Sequence, residues 1–251
     1  MKLTTRILSL CALSIALAGV LSTAEASVVV SGTRLIYPAN EHDVSIQLTN
    51  NDPKPALVQS WIDSGDIHQD PSLSTAPFVV TPPITRIDAG KKQLVRLTLL
   101  SSSAVPTDRE SVYWYNMLDI PAKSKEKTDE NILEMALRTR IKVFYRPEGL
   151  KGVPAEAATG LTWQAVKTDQ GYALRAINPA AYNVSMTSVS VTSAGKTYTD
   201  DLGGMVAPKS SKDFPLKGLT NSPAVKSVVS YNWVNDYGNS VSTKSTVTEI
   251  R

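Results

Sequence analysis

The chain has 251 residues, a formal net charge of +3, and a composition in which 42% of the residues are hydrophobic and 20% are charged. This balance is that of a folded protein, and it excludes a disordered chain and a fibrous repeat. The small charge excess gives no basic surface for nucleic acid. One cysteine and two histidines exclude an intramolecular disulfide and leave few ligands for a metal.

The first 26 residues have the pattern of a signal peptide. Lys2 and Arg6 form a positive start, an apolar stretch follows, and Ala24-Glu25-Ala26 is a small-x-small cleavage site. The apolar stretch of about 15 residues is short for a bilayer core of about 30 Å, so no stable membrane insertion is expected. Cleavage after Ala26 also removes Cys11, which leaves an exported chain without thiols for an oxidising compartment such as the periplasm.

The rest of the chain predicts short β-strands separated by turns that are rich in Pro, Gly and Asn. The predicted strands of the first half are, in chain order, 27–30, 44–48, 57–62, 78–80, 94–99, 112–118 and 132–145. Prolines and glycines in residues 146–154 interrupt the pattern and indicate a hinge. The predicted strands of the second half are 161–166, 172–177, 183–191, 228–234 and 240–248. We therefore predict an all-β fold of two immunoglobulin-like β-sandwich domains, 27–147 and 148–251.

Catalytic and cofactor motifs are absent from the sequence. It contains no nucleophile elbow, phosphate-binding loop, dinucleotide-binding glycine motif or HExxH zinc motif. His42 and His68 lie in polar stretches that are typical of surface loops, and a metal site would need further ligands. Residues 123–130 carry mixed charges and are typical of a solvated loop. The chain is therefore predicted not to be an enzyme, and to use neither a metal nor a cofactor.

The most informative stretch is 131–147. In a strand, side chains two residues apart share a face. One face would carry Leu133, Met135, Leu137 and Ile141, and the other Glu134, Arg138, Arg140 and Lys142. The apolar face fits two interpretations. Periodicity alone favours a face that packs in the protein's own core, and the alternative is an edge strand that offers its apolar side chains to another protein.

Several short motifs occur in a fixed order along the chain. They are Thr33-Arg34, 78–83, Arg109-Glu110-Ser111, Asn116, Ile120-Pro121, 141–147, Asn178-Pro179, Tyr182, Gly203-Gly204-Met205 and 235–238. Together, across nearly all of 27–251, they closely resemble the PapD-like family of periplasmic chaperones that serve the chaperone–usher pilus pathway. The short connection at 121–131 and the lack of cysteine after residue 26 resemble the short-loop subclass of that family.

This resemblance implies two domains arranged as an L, with a pilus subunit bound in the cleft between them. The chaperone would donate its G1 strand to an incomplete immunoglobulin fold, with Leu133, Met135 and Leu137 as the inserted side chains. Arg34 and Lys142 would hold the C-terminal carboxylate of the subunit. The expected function is a periplasmic chaperone that assists subunit folding, prevents premature polymerisation and delivers subunits to an outer-membrane usher.

The resemblance also implies an ionic link between the domains, formed by Glu110, Arg146 and Asp236. The alternative for these three residues is that they are unrelated surface charges. The implied partners are pilus subunits and the usher, and a homodimer that covers the exposed strand is a further expectation.

A secreted two-domain carbohydrate-binding adhesin is the alternative function. Such a protein would use aromatic side chains as a sugar platform, and the chain offers nine tyrosines together with Trp61, Trp114, Trp163 and Trp233. Most of these tryptophans lie in apolar strand sequence that is typical of a core, which favours the chaperone.

Overall fold

The computed structural model describes residues 28–101, 105–120 and 135–250. The predicted signal peptide and the predicted donor residue Leu133 lie outside the described residues. Within the described ranges, no helix combines the length and the apolar character needed to span a membrane.

Within the described residues, nine strands build the first domain, because its β-branched and aromatic runs are cut into short lengths by turn residues. Their bounds are β1 Val28–Val30, β2 Arg34–Pro38, β3 Asp43–Asn50, β4 Ala56–Asp63, β5 Phe78–Thr81, β6 Ile84–Ile87, β7 Lys92–Leu99, β8 Ser111–Ile120 and β9 Leu137–Arg146. A single 3-10 turn, Pro71–Leu73, lies between β4 and β5.

The nine strands form two sheets around one core. The first sheet has the order β1-β3-β7-β5, and the second has the order β2-β9-β8-β4-β6. The chain changes sheets between β1 and β2 at Gly32, where φ is +92°, a conformation that favours glycine. β2 then pairs in parallel with the second half of β9, from Arg34 opposite Lys142 to Pro38 opposite Arg146. Its shortness leaves the first half of β9 beyond its reach.

An aromatic cluster fixes β2 and β9 against the opposite sheet. The ring of Tyr37 in β2 lies 5.4 Å from the ring of Phe78 and 5.9 Å from that of Tyr145 in β9. The Tyr37 hydroxyl donates a hydrogen bond to the carbonyl of His42 and accepts one from the amide of Leu99. These contacts hold the short β2 in register although it pairs with only one neighbour.

The second domain begins with a short helix and continues with eight strands. Their bounds are α1 Pro154–Thr159, β10 Thr162–Thr168, β11 Gly171–Asn178, β12 Val184–Ser193, β13 Lys196–Asp200, β14 Gly204–Val206, β15 Ser210–Pro215, β16 Val228–Val234 and β17 Ser240–Ile250. The sequence predicted only a hinge and strands here, so α1 is a difference. Pro154 starts the helix, where its missing N–H costs nothing, and Glu156 accepts a hydrogen bond from the amide of Val153.

One continuous sheet in the order β13-β12-β16-β17-β10-β11-β15 surrounds the second core, and β14 pairs with β12. β17 pairs with β16 along most of its length and with β10 at its end, so it joins the two layers. Trp163, Phe214 and Tyr231 are fully buried between them. The prediction of an all-β fold with two sandwich-like domains is therefore confirmed.

Candidate functional site

The first half of β9 is an open edge. Residues 137–141 pair with β8, from Leu137 opposite Asp119 to Ile141 opposite Tyr115. On the other side, β2 begins only at the level of Lys142. In the described chain, the backbone groups of 137–141 that point away from β8 therefore meet no other strand. Such an edge is able to pair with a strand of another protein.

The apolar side chains become more exposed toward the start of this edge. Ile141 is 8% exposed and belongs to the core of the first domain, whereas Leu137 on the same face is 52% exposed. Met135, just before the strand, is 73% exposed. Leu137 and Met135 are therefore not sealed in the protein's own core, which was the interpretation that periodicity alone favoured.

Arg34 and Lys142 lie side by side at the point where this edge ends. They are partners in the β2–β9 register, and both reach toward the second domain. The Arg34 Nη1 donates to the carbonyl of Val234 at 2.9 Å, and the Lys142 Nζ donates to the Ser185 Oγ at 3.2 Å. Among the described residues, neither cation has a carboxylate within ion-pair distance.

Burial makes these two charges costly in the free chain. Desolvation lowers the pKa of Lys142 to about 8, and the nearby charge of Arg34 acts in the same direction. Desolvation also lowers the pKa of Arg34, although the negative charges of Asp236 and Glu110 act to raise it. The Arg34 Nε is buried without a hydrogen-bond partner. An anion that contacts both side chains would reduce their mutual repulsion and accept hydrogen bonds from their N–H groups. The pair is therefore suited to binding a carboxylate.

An ionic cluster joins the two domains next to this pair. The Arg146 Nη2 lies 2.8 Å from the Glu110 Oε1, and its Nη1 lies 2.9 Å from the Asp236 Oδ2. The Glu110 Oε2 also accepts hydrogen bonds from the backbone and side-chain amides of Asn183, both at 2.9 Å. Glu110, Arg146 and Asp236 are thus brought together in one hydrogen-bonded group that spans the domains, and they are not unrelated surface charges.

Two residues that contact the other domain were not predicted from the sequence. Asn183 stands one residue before β12, and Lys209 forms a second contact between domains with Asp108 at 2.6 Å. The side chains of Arg109 and Lys209 hold the pKa of Asp108 well below its usual range. Both contacts join segments that are far apart in the sequence, so only the tertiary structure reveals them.

Replacing Arg146 with methionine is expected to lower the free energy of unfolding by about 2–3 kcal/mol, because it leaves the buried Glu110 without its cationic partner. Urea denaturation followed by tryptophan fluorescence measures this loss. The matched control is Arg175→Met, which breaks the exposed pair with Asp213 and is expected to cost under about 1 kcal/mol. Equal losses of unfolding free energy in the two variants would contradict a structural role for the ionic cluster between the domains.

The tryptophans do not form an exposed platform. Trp163 and Trp233 are buried in the second domain. Trp61 and Trp114 lie beneath the guanidinium groups of Arg138 and Arg140, at 4.9 and 4.1 Å from the ring centres. Within the part of the chain that the structure describes, no group of three or more potential metal ligands occurs. The open edge of β9, which ends at Arg34 and Lys142, is therefore the best candidate site.

Comparisons with known proteins identify the family. Residues 27–151 match the family described as "Pili and flagellar-assembly chaperone, PapD N-terminal domain", and residues 156–245 match "Pili assembly chaperone PapD, C-terminal domain". The probable fimbrial chaperone YadV of Escherichia coli (strain K12) is 40% identical over 222 residues, which cover 88% of this chain and 89% of that protein.

Solved structures agree with this match. The crystal structure of a YadV chaperone has a TM-score of 0.76 at 38% identity, and covers 88% of this chain and 100% of its own. A chain from the complex of the Salmonella enterica SafA pilin with the SafB chaperone has a TM-score of 0.71 at 26% identity, with 90% and 99% covered.

The fold and these matches define the chain as a fimbrial assembly chaperone. It belongs to the PapD family of pilus assembly chaperones, whose two domain models together match most of its length. Because its relatives are chaperones, which form a non-enzymatic family, the chain is not an enzyme.

Proposed function

We propose that this chaperone captures pilus subunits in the cleft between its domains by lending them residues 133–141 as a strand. The observation that carries the proposal is the open edge of β9. Leu137 at its start and Met135 just before it are exposed, and the edge ends at the pair of Arg34 and Lys142. The subunit would be an immunoglobulin fold that lacks one strand, and the donated strand would complete its core until another strand replaces it.

In this proposal, apolar burial provides most of the affinity and the two cations determine the register of the subunit strand. Burying one large apolar side chain contributes about 1.5–3 kcal/mol, so Leu133, Met135 and Leu137 together would supply most of the affinity. Arg34 can bind a carboxylate at two points, while Lys142 acts as a point charge. Because a shift by one residue turns every side chain to the other face, a fixed carboxylate would select the register of the subunit strand.

Membership of the family supports the proposed partners and location. The solved complex of SafB with the SafA pilin supports a pilus subunit as the partner. We further propose that residues 1–26 direct export to the periplasm, that the domains divide between Pro147 and Glu148, and that subunits are delivered to an outer-membrane usher. A homodimer that covers the edge of β9 would protect it before capture.

Affinity purification of the tagged chain from periplasm, followed by mass spectrometry, tests the proposal. We expect pilus subunits to accompany the protein. Recovery of no subunit, together with binding of the purified protein to a glycan array, would support the carbohydrate-binding adhesin instead.

Binding of a carboxylate at the cleft is expected to weaken at high pH. The pKa of Lys142 is about 8 in the free chain, and a bound carboxylate raises it, so binding above that pH requires uptake of a proton. Affinity is thus flat below about pH 7 and falls roughly tenfold by about pH 9.5. Calorimetry with a synthetic peptide of alternating valine and threonine, ending in a free carboxylate, measures it.

Two controls isolate the lysine. The Lys142→Arg variant keeps its charge, so its affinity should not change over this pH range. The same peptide with an amidated C-terminus should show no dependence either. An identical fall in affinity for the wild-type chain and Lys142→Arg would show that another group titrates.

A further inference from the structure

A buried polar network lies on the face of β9 opposite Leu137. The Arg138 Nε and Nη2 donate to the Asn116 Oδ1 at 3.0 and 2.7 Å, and the Arg138 Nη1 donates to the carbonyl of Ile67 at 2.6 Å. The Asn116 Nδ2 donates to the Asp63 Oδ2 at 2.7 Å, and the Arg140 Nη2 donates to the Asp63 Oδ1. Asp63 and Asn116 are almost completely buried, so this network is firmly anchored.

The same side chains stack on tryptophans of the neighbouring strands. Arg138 covers Trp61 of β4, and Arg140 covers Trp114 of β8. The Lys142 Nζ also lies over Trp114, at 5.5 Å from the ring centre. Cation–π contacts of this kind add to hydrogen bonds when they are sheltered from water. The network thus ties β4, β8 and β9 together, and it shares a ring with one cation of the cleft.

The position of the network matches the part of β9 that lacks a second strand. Arg138 and Arg140 alternate with Leu137, Thr139 and Ile141, so their contacts leave the apolar face free. Residues 142–145 are held from both sides by β2 and β8, whereas 137–141 pair with β8 alone among the described strands. A strand at a sheet edge that is paired on one side opens more readily, because fewer contacts must be broken.

We infer that Arg138, together with Asn116, Asp63 and Arg140, is a positioning residue that holds 137–141 extended before a subunit arrives. This inference rests on the proposed function. A strand that is already extended avoids the entropy of ordering during capture, so the competent fraction of the free chaperone is higher. The predicted consequence lies in the association rate, because the network does not touch the donated face.

The Arg138→Met variant tests this role. Methionine keeps an apolar stem over Trp61 and removes all three donated hydrogen bonds. In the free variant, amides of 137–141 that bond to β8 are expected to exchange with solvent at least about tenfold faster, while amides of β3 and β7 are unchanged. The association rate with the peptide of alternating valine and threonine should fall about tenfold, with an unchanged dissociation rate. The matched control, Arg175→Met, should change none of these.

The outcomes separate this inference from the proposed function. If pilus subunits do not accompany the wild-type chain when it is purified from periplasm, the proposed function fails and the inference fails with it. If the wild-type chain binds but Arg138→Met exchanges and associates like it, only the positioning role is overturned. Loss of amide protection throughout the first domain would likewise overturn it, because Arg138 would then stabilise the fold as a whole.

Discussion

Replacing both Arg34 and Lys142 with methionine is expected to abolish the capture of pilus subunits and to leave the fold intact. A hydrogen bond to a charged group contributes about 1.5–3 kcal/mol, so loss of both cations should weaken binding by about a hundredfold to ten-thousandfold. No carboxylate among the described residues depends on either cation as an ion-pair partner. The variant loses the hydrogen bonds to Val234 and Ser185, but burial disfavours the charge of Lys142, which offsets part of that loss, so the chain should stay folded.

Co-purification of subunits from periplasm measures this loss. The matched control is Lys209→Met, which removes a cation between the domains that is paired with Asp108 and not part of the cleft. Its subunit yield should equal that of the wild-type chain. Normal subunit yield with the double variant would rule out a carboxylate anchor at this position.

The Leu137→Glu variant is expected to prevent capture by placing a charge in the apolar groove of the subunit. The side chain is 52% exposed in the free chain, so the carboxylate remains hydrated and the protein should fold normally. In the complex, the same carboxylate would lose its water without a partner. Loss of burial and the cost of an unpaired charge together predict at least a thousandfold weaker binding, about 4 kcal/mol.

Circular dichroism and subunit co-purification together test this variant. The control is Leu202→Glu, which changes an almost fully exposed leucine of the second domain and should affect neither measurement. If Leu137→Glu unfolds while Leu202→Glu does not, Leu137 supports the core of its own domain, and a donated strand is excluded.

The alternation of residue types in β9 predicted which side chains share a face, but not which of them are buried. Leu137 and Ile141 share a face, yet Ile141 is buried and Leu137 is half exposed. The difference arises because β2 begins opposite Lys142, and that register pairs residues more than a hundred positions apart. Local patterns contain no information on where such a distant strand begins, so the sequence left both interpretations open.

The polar groups that support the cleft were the least predictable part of the molecule. Asp63 and Asn183 stand in ordinary strand or turn sequence, and Asn116 belonged to a family motif that gave it no role. The importance of all three comes from burial and from hydrogen bonds to residues far away in the sequence. Arg34, Lys142, Glu110, Arg146 and Asp236 were singled out only through a family resemblance. Helix α1 was missed because six residues are too few to display helical periodicity.

The short length of β2 has a mechanical consequence. A guest strand that lies along residues 137–141 runs into the first residue of β2, because both would occupy the same side of β9. Arg34 is that residue, so the residue that blocks the guest strand sterically is also one of the two that would bind its C-terminal carboxylate. The backbone of β2 would thereby limit how far along β9 another strand can pair, whatever side chains that strand carries.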